Sequence, residues 1–254
     1  MVKKEIPQDL NEEETQEGSM TFLEHLEEFR WRLIYSFLGV VIATIVSWLF
    51  IDYLINVILL QPARNAGLHL QNLKPFGQVF VYLEVAIICG IVLSIPNLFY
   101  QFWKFIVPAL KESEKKYISS IVIFSSLCFI IGIAFAYFVM LPFTLNFAAH
   151  FGTQDIKNQF AINEYLSVIL SVMLGAGVVF ELPMVTYFLT KIGILTPMFM
   201  TKYRKYAVII ILIISAFLTP SDVVSQIILA IPLAFLYELS IIISKIVYKK
   251  KKKK

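Results

Sequence analysis

The sequence predicts an all-α integral membrane protein with six transmembrane helices. Of its 254 residues, 58% are hydrophobic and only 16% are charged, and the mean hydropathy is +0.76. A soluble domain of this length cannot bury so much apolar surface, so the composition indicates a chain that resides in a lipid bilayer. Polar segments divide the apolar sequence into runs, and aromatic and charged residues cluster where those runs end.

The N-terminal part of the chain is polar before it becomes apolar. We expect residues 1–20 to form a flexible cytoplasmic lead, because they are polar and acidic. From Thr21 to Arg32 the apolar residues recur at helical spacing, which predicts a short amphipathic helix leading into the first span. Six apolar runs follow, covering about residues 33–54, 79–102, 118–141, 164–189, 207–218 and 223–247. We therefore predict a six-helix transmembrane domain over residues 21–248 and a basic cytoplasmic tail over 249–254.

The last two runs are predicted to form a helical hairpin. The run from Ala207 to Leu218 has 12 residues, so it rises about 18 Å as a helix, well short of the ~30 Å of hydrocarbon. A turn over Thr219–Asp222 separates it from the final run, since Pro220 and Asp222 would otherwise lie at the centre of one long span. A short hairpin that does cross implies tilt, a locally thinner bilayer or a partner that covers its end.

The cationic residues indicate the orientation of the chain. With six spans, all but three of the 22 lysines and arginines lie on the side that also holds both termini. The exceptions are Arg64, Lys74 and Lys157. Because cytoplasmic loops are enriched in positive charge, this asymmetry predicts that both termini are cytoplasmic.

The sequence lacks the patterns of several other protein classes. It has no phosphate-binding loop motif, no cluster with metal-ligand spacing and no nucleophile beside a candidate base. We therefore expect no enzymatic activity, no cofactor and no metal site. Cys89 and Cys128 both lie in apolar runs, which favours packing roles over a disulfide. The lysine run at 249–254 adjoins a span, which favours contact with anionic lipid over nucleic-acid binding.

Glu181 is an ionisable residue deep in the fourth run. An ionisable group at such depth costs a few kcal/mol. Either it is a protonated carboxyl bonded to a neighbouring helix, or it lines a water-filled cavity. We favour the second interpretation, because ionisable residues inside membranes are commonly functional. Nearby Gly175, Gly177 and Pro183 favour a bent helix.

Two further carboxylates lie at the predicted cytoplasmic interface. Glu28 is in the lead-in helix and Glu114 is in the first inner loop. Glutamates at an interface are often merely solvated. Two separated carboxylates are also what recognition of two guanidinium groups requires, since arginine pairs bidentately with a carboxylate. In the hairpin, Thr219 and Gln226 belong to a polar patch. Turn formation does not explain Gln226, which has the chemistry to hydrogen-bond a partner helix.

A series of segments resembles the TatC family, the multispanning subunit of the twin-arginine protein translocase. The similarity extends over nearly the whole chain, from Phe22 to Tyr248. Its segments, in family order, are HLEEFRWRL (His25–Leu33), FYQFWKFIVPALKESEKK (Phe99–Lys116), FAYFVMLPF (Phe135–Phe143), FELP (Phe180–Pro183) and LTPSDVVSQIILAIPLAFLYE (Leu218–Glu238). The departures are small: the proline pair of some members is here Pro220-Ser221, and the lysine tail differs.

The resemblance implies a fold and a set of functional residues. It implies a curved, glove-like wall with two short final helices in the bacterial cytoplasmic (inner) membrane. Arg-Arg signal peptides of folded cargo would bind at the cytoplasmic face, and export would be driven by the proton-motive force. The positions that match family residues for signal-peptide binding are Glu28, Glu114, Phe105, Gln101 and Pro108. Glu181 matches the family's intramembrane glutamate. Arg30 and Pro62 match motif positions to which we assign no role.

The implied partners are single-span subunits of the TatA and TatB type, which would contact Thr219 and Gln226. Self-association into a larger receptor complex is also implied. Two alternatives stay open at this point. One is a proton-coupled secondary transporter of a small solute, with Glu181 as the coupling group, although no internal repeat is evident. The other is a passive structural anchor, for which Glu181 would be dispensable.

Overall fold

The structure is a computed structural model that describes residues 22–106, 118–150, 159–218 and 223–252. Glu114, Pro108 and Thr219 lie outside these residues, as does the predicted lead. The α-helices are α1 (Phe22–Leu49), α2 (Ile51–Tyr53), α3 (Gln61–Asn65), α4 (Gly77–Ile106), α5 (Ile118–Phe135), α6 (Leu141–His150), α7 (Ile162–Val179), α8 (Leu182–Ile192), α9 (Pro197–Lys202), α10 (Arg204–Leu218) and α11 (Val223–Lys252). Short π-helical segments, Leu54–Leu59 and Ala136–Met140, precede α3 and α6.

Within the described ranges, five helical stretches are long and apolar enough to cross a membrane. They cover residues 23–49, 77–106, 119–150, 162–192 and 226–250, and each contains most of one predicted run. The other predicted run corresponds to α10, whose 15 residues rise about 22 Å. Helices α10 and α11 pack against each other, in agreement with the predicted hairpin.

The final helix is not short. Helix α11 has 30 residues and is therefore about 45 Å long, so the prediction of two short final helices is wrong for the second of them. The apolar run ends near Val247, but lysine is a good helix former and the helix continues to Lys252.

The third span also differs from the prediction. We expected it to end at Leu141, before Pro142, because proline disrupts a helix interior. Instead the helix continues through the π-helical segment Ala136–Met140 into α6 and is still helical at His150, the last residue described before 159. The π-helical turn contains one extra residue, and such turns accommodate a local interruption without ending the helix.

The segment after α1 forms a packed cap on one end of the bundle. Ile55, Leu59 and Ala63 of this cap are buried in the main core. The Tyr165 hydroxyl donates to the Leu59 carbonyl at 2.9 Å and accepts from the Ala63 amide at 3.0 Å. These bonds fasten the cap to α7 and satisfy backbone groups in a segment of irregular helix.

Two short strands complete the cap. The all-α prediction did not include these strands. Strands β1 (His69–Gln71) and β2 (Gln159–Ala161) pair in parallel, with Leu70 opposite Phe160. Each strand has three residues, too few to show the alternating pattern that predicts strands from sequence. The pairing joins two loops that lie about ninety positions apart in the chain.

The core lies where α4, α6, α7 and α11 meet. Its largest fully buried side chains include Leu141, Leu166, Ile169, Leu229 and Leu233. Helix α1 packs along α4 and leaves most of its other apolar side chains exposed. In water such a surface would drive aggregation, whereas in a bilayer it contacts acyl chains.

Candidate functional site: a carboxylate pair and a cavity

The beginning of α1 carries an ion pair that faces α4. Glu28 and Arg32 are one helical turn apart, and Arg32 Nη2 lies 2.8 Å from Glu28 Oε1. The glutamate precedes the arginine by four positions, which is the favourable order on a helix. Both side chains are mostly buried, with 18% of Glu28 and 19% of Arg32 exposed.

A chain of polar contacts connects this pair to α4. Arg32 Nη1 donates to Gln101 Oε1 at 3.3 Å, and Gln101 Nε2 donates to Asn97 Oδ1 at 3.4 Å. Asn97 in turn donates to the Tyr35 carbonyl of α1 at 3.3 Å. The amides of α4 therefore hold Arg32 in place beside Glu28.

An aromatic cluster adjoins the ion pair. The Phe105 ring stacks on His25 with centroids 4.4 Å apart, and it meets Phe29 at 5.2 Å. Phe105 belongs to the last turn of α4, while His25 and Phe29 lie on the first turns of α1. The cluster thus fixes the end of α4 against the beginning of α1.

The ion pair leaves some of its own atoms without partners. Glu28 Oε2 and Arg32 Nε are buried and find no hydrogen-bond partner among the described residues. The pair is thus joined end-on, through one nitrogen, and not by the two parallel bonds that arginine and a carboxylate can form. By contrast, the neighbouring pair of Glu27 and Arg30 is separated by 3.5 Å, and both of its side chains are 63% exposed.

A cavity of about 710 Å³ leads from this cluster into the bundle. Arg32, Gln101 and Phe105 lie at one part of its wall, and Glu181 and Ser125 lie at another. Most of the remaining wall consists of aromatic and aliphatic side chains of α1, α4, α5, α7 and α8. The cavity therefore has an apolar wall with a few polar groups, which is the usual composition of a binding site.

Glu181 lies at a break in the fourth span. Helix α7 ends at Val179 and α8 begins at Leu182, with Glu181 as its N-cap residue and Pro183 in its first turn. The helix is interrupted two residues before Pro183, in the region where a bend was predicted. The Glu181 side chain is 8% exposed, its Oε1 atom has no hydrogen-bond partner in the described part of the chain, and Ser125 is a hydrogen-bonding neighbour of the carboxyl.

Two glycines let α5 and α7 approach closely beside this break. A Cβ at Gly132 would lie 2.7 Å from the Ala176 carbonyl oxygen, and a Cβ at Gly177 would lie 2.8 Å from the Phe129 ring. Phe129 lines the cavity together with Glu181. The predicted role of Gly177 was to favour the bend; in the structure it makes room for Phe129.

The structure brings together part of the predicted site. Gln101 and Phe105 line the same cavity as Glu181, and Glu28 is joined to Gln101 through Arg32. Gln226 is far along the chain in the hairpin, where its Nε2 donates to the Leu212 carbonyl of α10 at 3.0 Å. Glu114, Pro108 and Thr219 are outside the described residues, so their predicted roles stay predictions.

Sequence reasoning overlooked Arg32. The spacing of Glu28 and Arg32 on one helix was a sufficient signal for the ion pair. His25 and Phe29 also recur on the same face, but only the structure shows that Phe105 lies against them. Pro62 is buried in the first turn of α3, where proline fits because that position needs no hydrogen-bonded N–H.

The chain matches one protein family over most of its length. The sequence model of TatC, the Sec-independent protein translocase protein, matches residues 24–232. The TatC protein of Carboxydothermus hydrogenoformans is 38% identical over 229 residues, which are 90% of this chain and 94% of that protein. The TatCy protein of Bacillus subtilis is 38% identical over 238 residues, which are 93% of each.

A solved structure agrees with this match. The crystal structure of a twin-arginine translocase receptor, TatC, has a TM-score of 0.80 and 35% sequence identity to this chain. The region that the two structures share covers 88% of this chain and 99% of the chain in that crystal structure. The matched residues include every described helix that frames the cavity. The chain therefore belongs to the TatC family of Sec-independent protein translocase proteins.

Proposed function

We propose that this chain is the receptor subunit of a twin-arginine translocase, which binds Arg-Arg signal peptides of folded proteins for export. The observation that carries the proposal is the cavity, because its wall contains Arg32 and Gln101 at one part and Glu181 at another. Glu28 does not line the cavity itself but is bonded to Arg32, which does. Membership of the family favours protein transport over a solute transporter or a passive anchor.

The carboxylates would recognise the arginine pair. Glu28 and Glu114 would each accept hydrogen bonds from one guanidinium, which binds a carboxylate through two parallel N–H groups. Phe105 and Gln101 hold α4 against α1 beside Glu28. Pro108 would assist Glu114, which lies six positions later in the sequence. Such charge-assisted bonds contribute about 1.5–3 kcal/mol each in partly buried surroundings.

The apolar part of the signal would occupy the cavity. Its wall is largely aromatic and aliphatic, and burying apolar surface there contributes about 25 cal/mol for each Å². Glu181 would be the polar group that this segment meets at the far side of the cavity. The role requires binding and movement and no covalent chemistry, so no catalytic residue is assigned.

The proposed topology places the recognition cluster in the cytoplasm. All six helices, including α10, would cross the inner membrane, with the lead 1–20 and the basic tail 249–254 both on the cytoplasmic side of the 21–248 domain. A curved, glove-like wall would present the cavity on its concave face. Because α10 has only 15 residues, the bilayer would be thinned around it, or a partner would cover the end of the hairpin.

Single-span partner subunits of the TatA and TatB type would dock at the hairpin. Its described surface is strongly apolar, with Phe217 87% exposed and Val223 67% exposed. Thr219 and Gln226 would supply polar contacts, the latter by exchanging its bond to Leu212 for one to the partner. Recruitment of these subunits and self-association would precede export driven by the proton-motive force.

Photo-crosslinking of a twin-arginine precursor tests the docking residues. We expect crosslinks to the Glu28→Ala, Glu114→Ala double variant to fall at least about tenfold, since two charge-assisted contacts are lost. Glu27→Ala is the matched control, because Glu27 is the exposed neighbour of Glu28 and pairs with Arg30. Undiminished crosslinks in the double variant would contradict the assignment, whereas an equal loss in the control would indicate a general charge effect.

A further inference from the structure

The Glu28 carboxylate is not free to bind a guanidinium through both oxygens in this structure. Its Oε1 atom is bonded to Arg32 Nη2, and its Oε2 atom is buried without a hydrogen-bond partner among the residues described. A guanidinium from outside therefore cannot place two parallel N–H groups on both oxygens until Oε2 is uncovered by a rearrangement of these side chains. The proposed docking site is thus occupied by an arginine of the receptor itself.

The internal pair is less complete than the pair that a ligand would form. Arg32 gives Glu28 one nitrogen, gives Gln101 another at 3.3 Å, and leaves its Nε atom without a partner in the described chain. A signal arginine that places two parallel N–H groups on the carboxylate forms the stronger arrangement. A lysine ammonium is a point charge and cannot form this fork.

We propose that Arg32 is a positioning residue that sets the selectivity of the receptor for arginine. This inference rests on the docking role proposed for Glu28. In the empty receptor Arg32 holds the Glu28 carboxylate, and an incoming guanidinium takes its place while Gln101 retains Arg32 at the cavity wall. A ligand that binds Glu28 more weakly than Arg32 does cannot displace Arg32 and is left unbound. A lysine side chain is such a ligand.

The competition has a measurable cost in affinity. The apparent affinity of a site is reduced by the fraction of molecules in which it is open. Replacing Arg32 with glutamine removes the competitor and leaves a mostly buried carboxylate without its cation, which binds an arriving cation more tightly. We expect roughly tenfold tighter binding of an Arg-Arg peptide, the effect of one charge-assisted hydrogen bond.

The test uses the full chain in lipid nanodiscs and fluorescence anisotropy with two synthetic signal peptides. One peptide carries the Arg-Arg pair and the other carries Lys-Lys at the same positions. For Arg32→Gln we expect tighter binding of the first peptide and a smaller ratio between the two affinities. Lys104→Gln is the control, since it also removes one cation from this end of the bundle. The Lys104 ammonium contacts the Tyr100 ring and not Glu28. A second variant, Arg32→Lys, retains the charge and should give an intermediate affinity.

The outcomes separate this inference from the docking proposal. If Arg32→Gln binds the Arg-Arg peptide equally or more weakly and with an unchanged ratio, Arg32 is a structural partner and the inference is wrong. If Glu28→Gln leaves binding unchanged with Arg32 in place, the docking assignment itself fails. The tighter binding of Arg32→Gln should disappear in the Glu28→Gln, Arg32→Gln double variant. That result would support both the docking role of Glu28 and the competing role of Arg32, because a purely structural arginine cannot produce a gain in affinity that depends on Glu28.

Discussion

The two glutamates of this region, Glu28 and Glu181, have different electrostatic surroundings. Glu28 is joined to Arg32 on its own helix, so its charge is compensated locally. Glu181 has the uncharged Ser125 as its neighbour, and Arg32 is the one cation among the described residues that line its cavity. A carboxyl without a local cation in a membrane span costs a few kcal/mol, and selection retains such a cost where the group is used.

Replacing Glu181 should impair export and leave docking intact. We expect Glu181→Ala to lower export of a folded reporter roughly tenfold, since the variant loses the polar contact offered to the signal. Crosslinking of the signal to the cytoplasmic end should persist. The measurement is reporter export in a strain that lacks its own subunit and is supplied with the cognate single-span partners.

Two serines of α5 provide the control for this prediction. Ser125 lines the cavity with Glu181, whereas the Ser126 hydroxyl donates to the Val122 carbonyl of its own helix at 2.9 Å. Ser126→Ala should therefore export normally, and Ser125→Ala should lie between it and Glu181→Ala. Normal export by Glu181→Ala would instead agree with a passive anchor.

The sequence identifies Glu181, Glu28 and Arg32 more easily than it identifies the side chains that surround them. Glu181 stands out because an ionisable side chain in an apolar run is rare. The pairing of Glu28 with Arg32 follows from helical spacing. The burial of Glu28 Oε2 depends on how α4 packs against α1, and spacing along one helix contains no information on that.

At the level of helices, the contact between α5 and α7 positions Phe129, a ring of the cavity wall. Gly132 faces the backbone of α7 at Ala176, and Gly177 faces the Phe129 ring of α5. A backbone oxygen cannot move aside, whereas a ring can move toward open space. The two glycines therefore differ in what a methyl group would disturb.

Adding one methyl group at each glycine should separate stability from binding. Gly132→Ala should destabilise the protein by about 1–3 kcal/mol, because the added Cβ overlaps backbone. Gly177→Ala should instead push Phe129 toward the cavity and weaken binding of the apolar signal segment, with a smaller loss of stability. Unfolding temperature in detergent and peptide affinity in nanodiscs measure the two effects. Equal effects of both variants on both quantities would contradict this division.

The helices show where reasoning from sequence reaches its limit. Apolar runs predicted the positions of the spans well, because a bilayer requires some twenty apolar residues in a row. Pro142 led to a wrong prediction for the end of the third span. The π-helical turn before it keeps the helix continuous, and the sequence shows no pattern for that turn. The pairing of β1 with β2 joins distant loops and left no pattern in either segment.

For the whole molecule, the proposed topology makes a direct prediction about accessibility. Single cysteines placed in a variant without Cys89 and Cys128 should react with an impermeant maleimide in intact cells at His69 and Val223. Cysteines at Lys205 and Lys250 should react only after permeabilisation. The contrast between Lys205 and Val223 decides whether α10 crosses, and labelling of both from the same side would show that it does not.

The length of α11 has a consequence for the electrostatics of the receptor. At about 45 Å it exceeds the ~30 Å hydrocarbon layer, so its final turns, with Lys245, Lys249 and Lys250, extend into the aqueous layer on the proposed cytoplasmic side. A positive field there repels basic peptides in general and slows their non-specific association. Glu28, once released from Arg32, and Glu114 would then offer negative charge within this positive field. A paired-arginine ligand gains only where it meets both carboxylates, and other cationic segments of the cell are repelled at a distance.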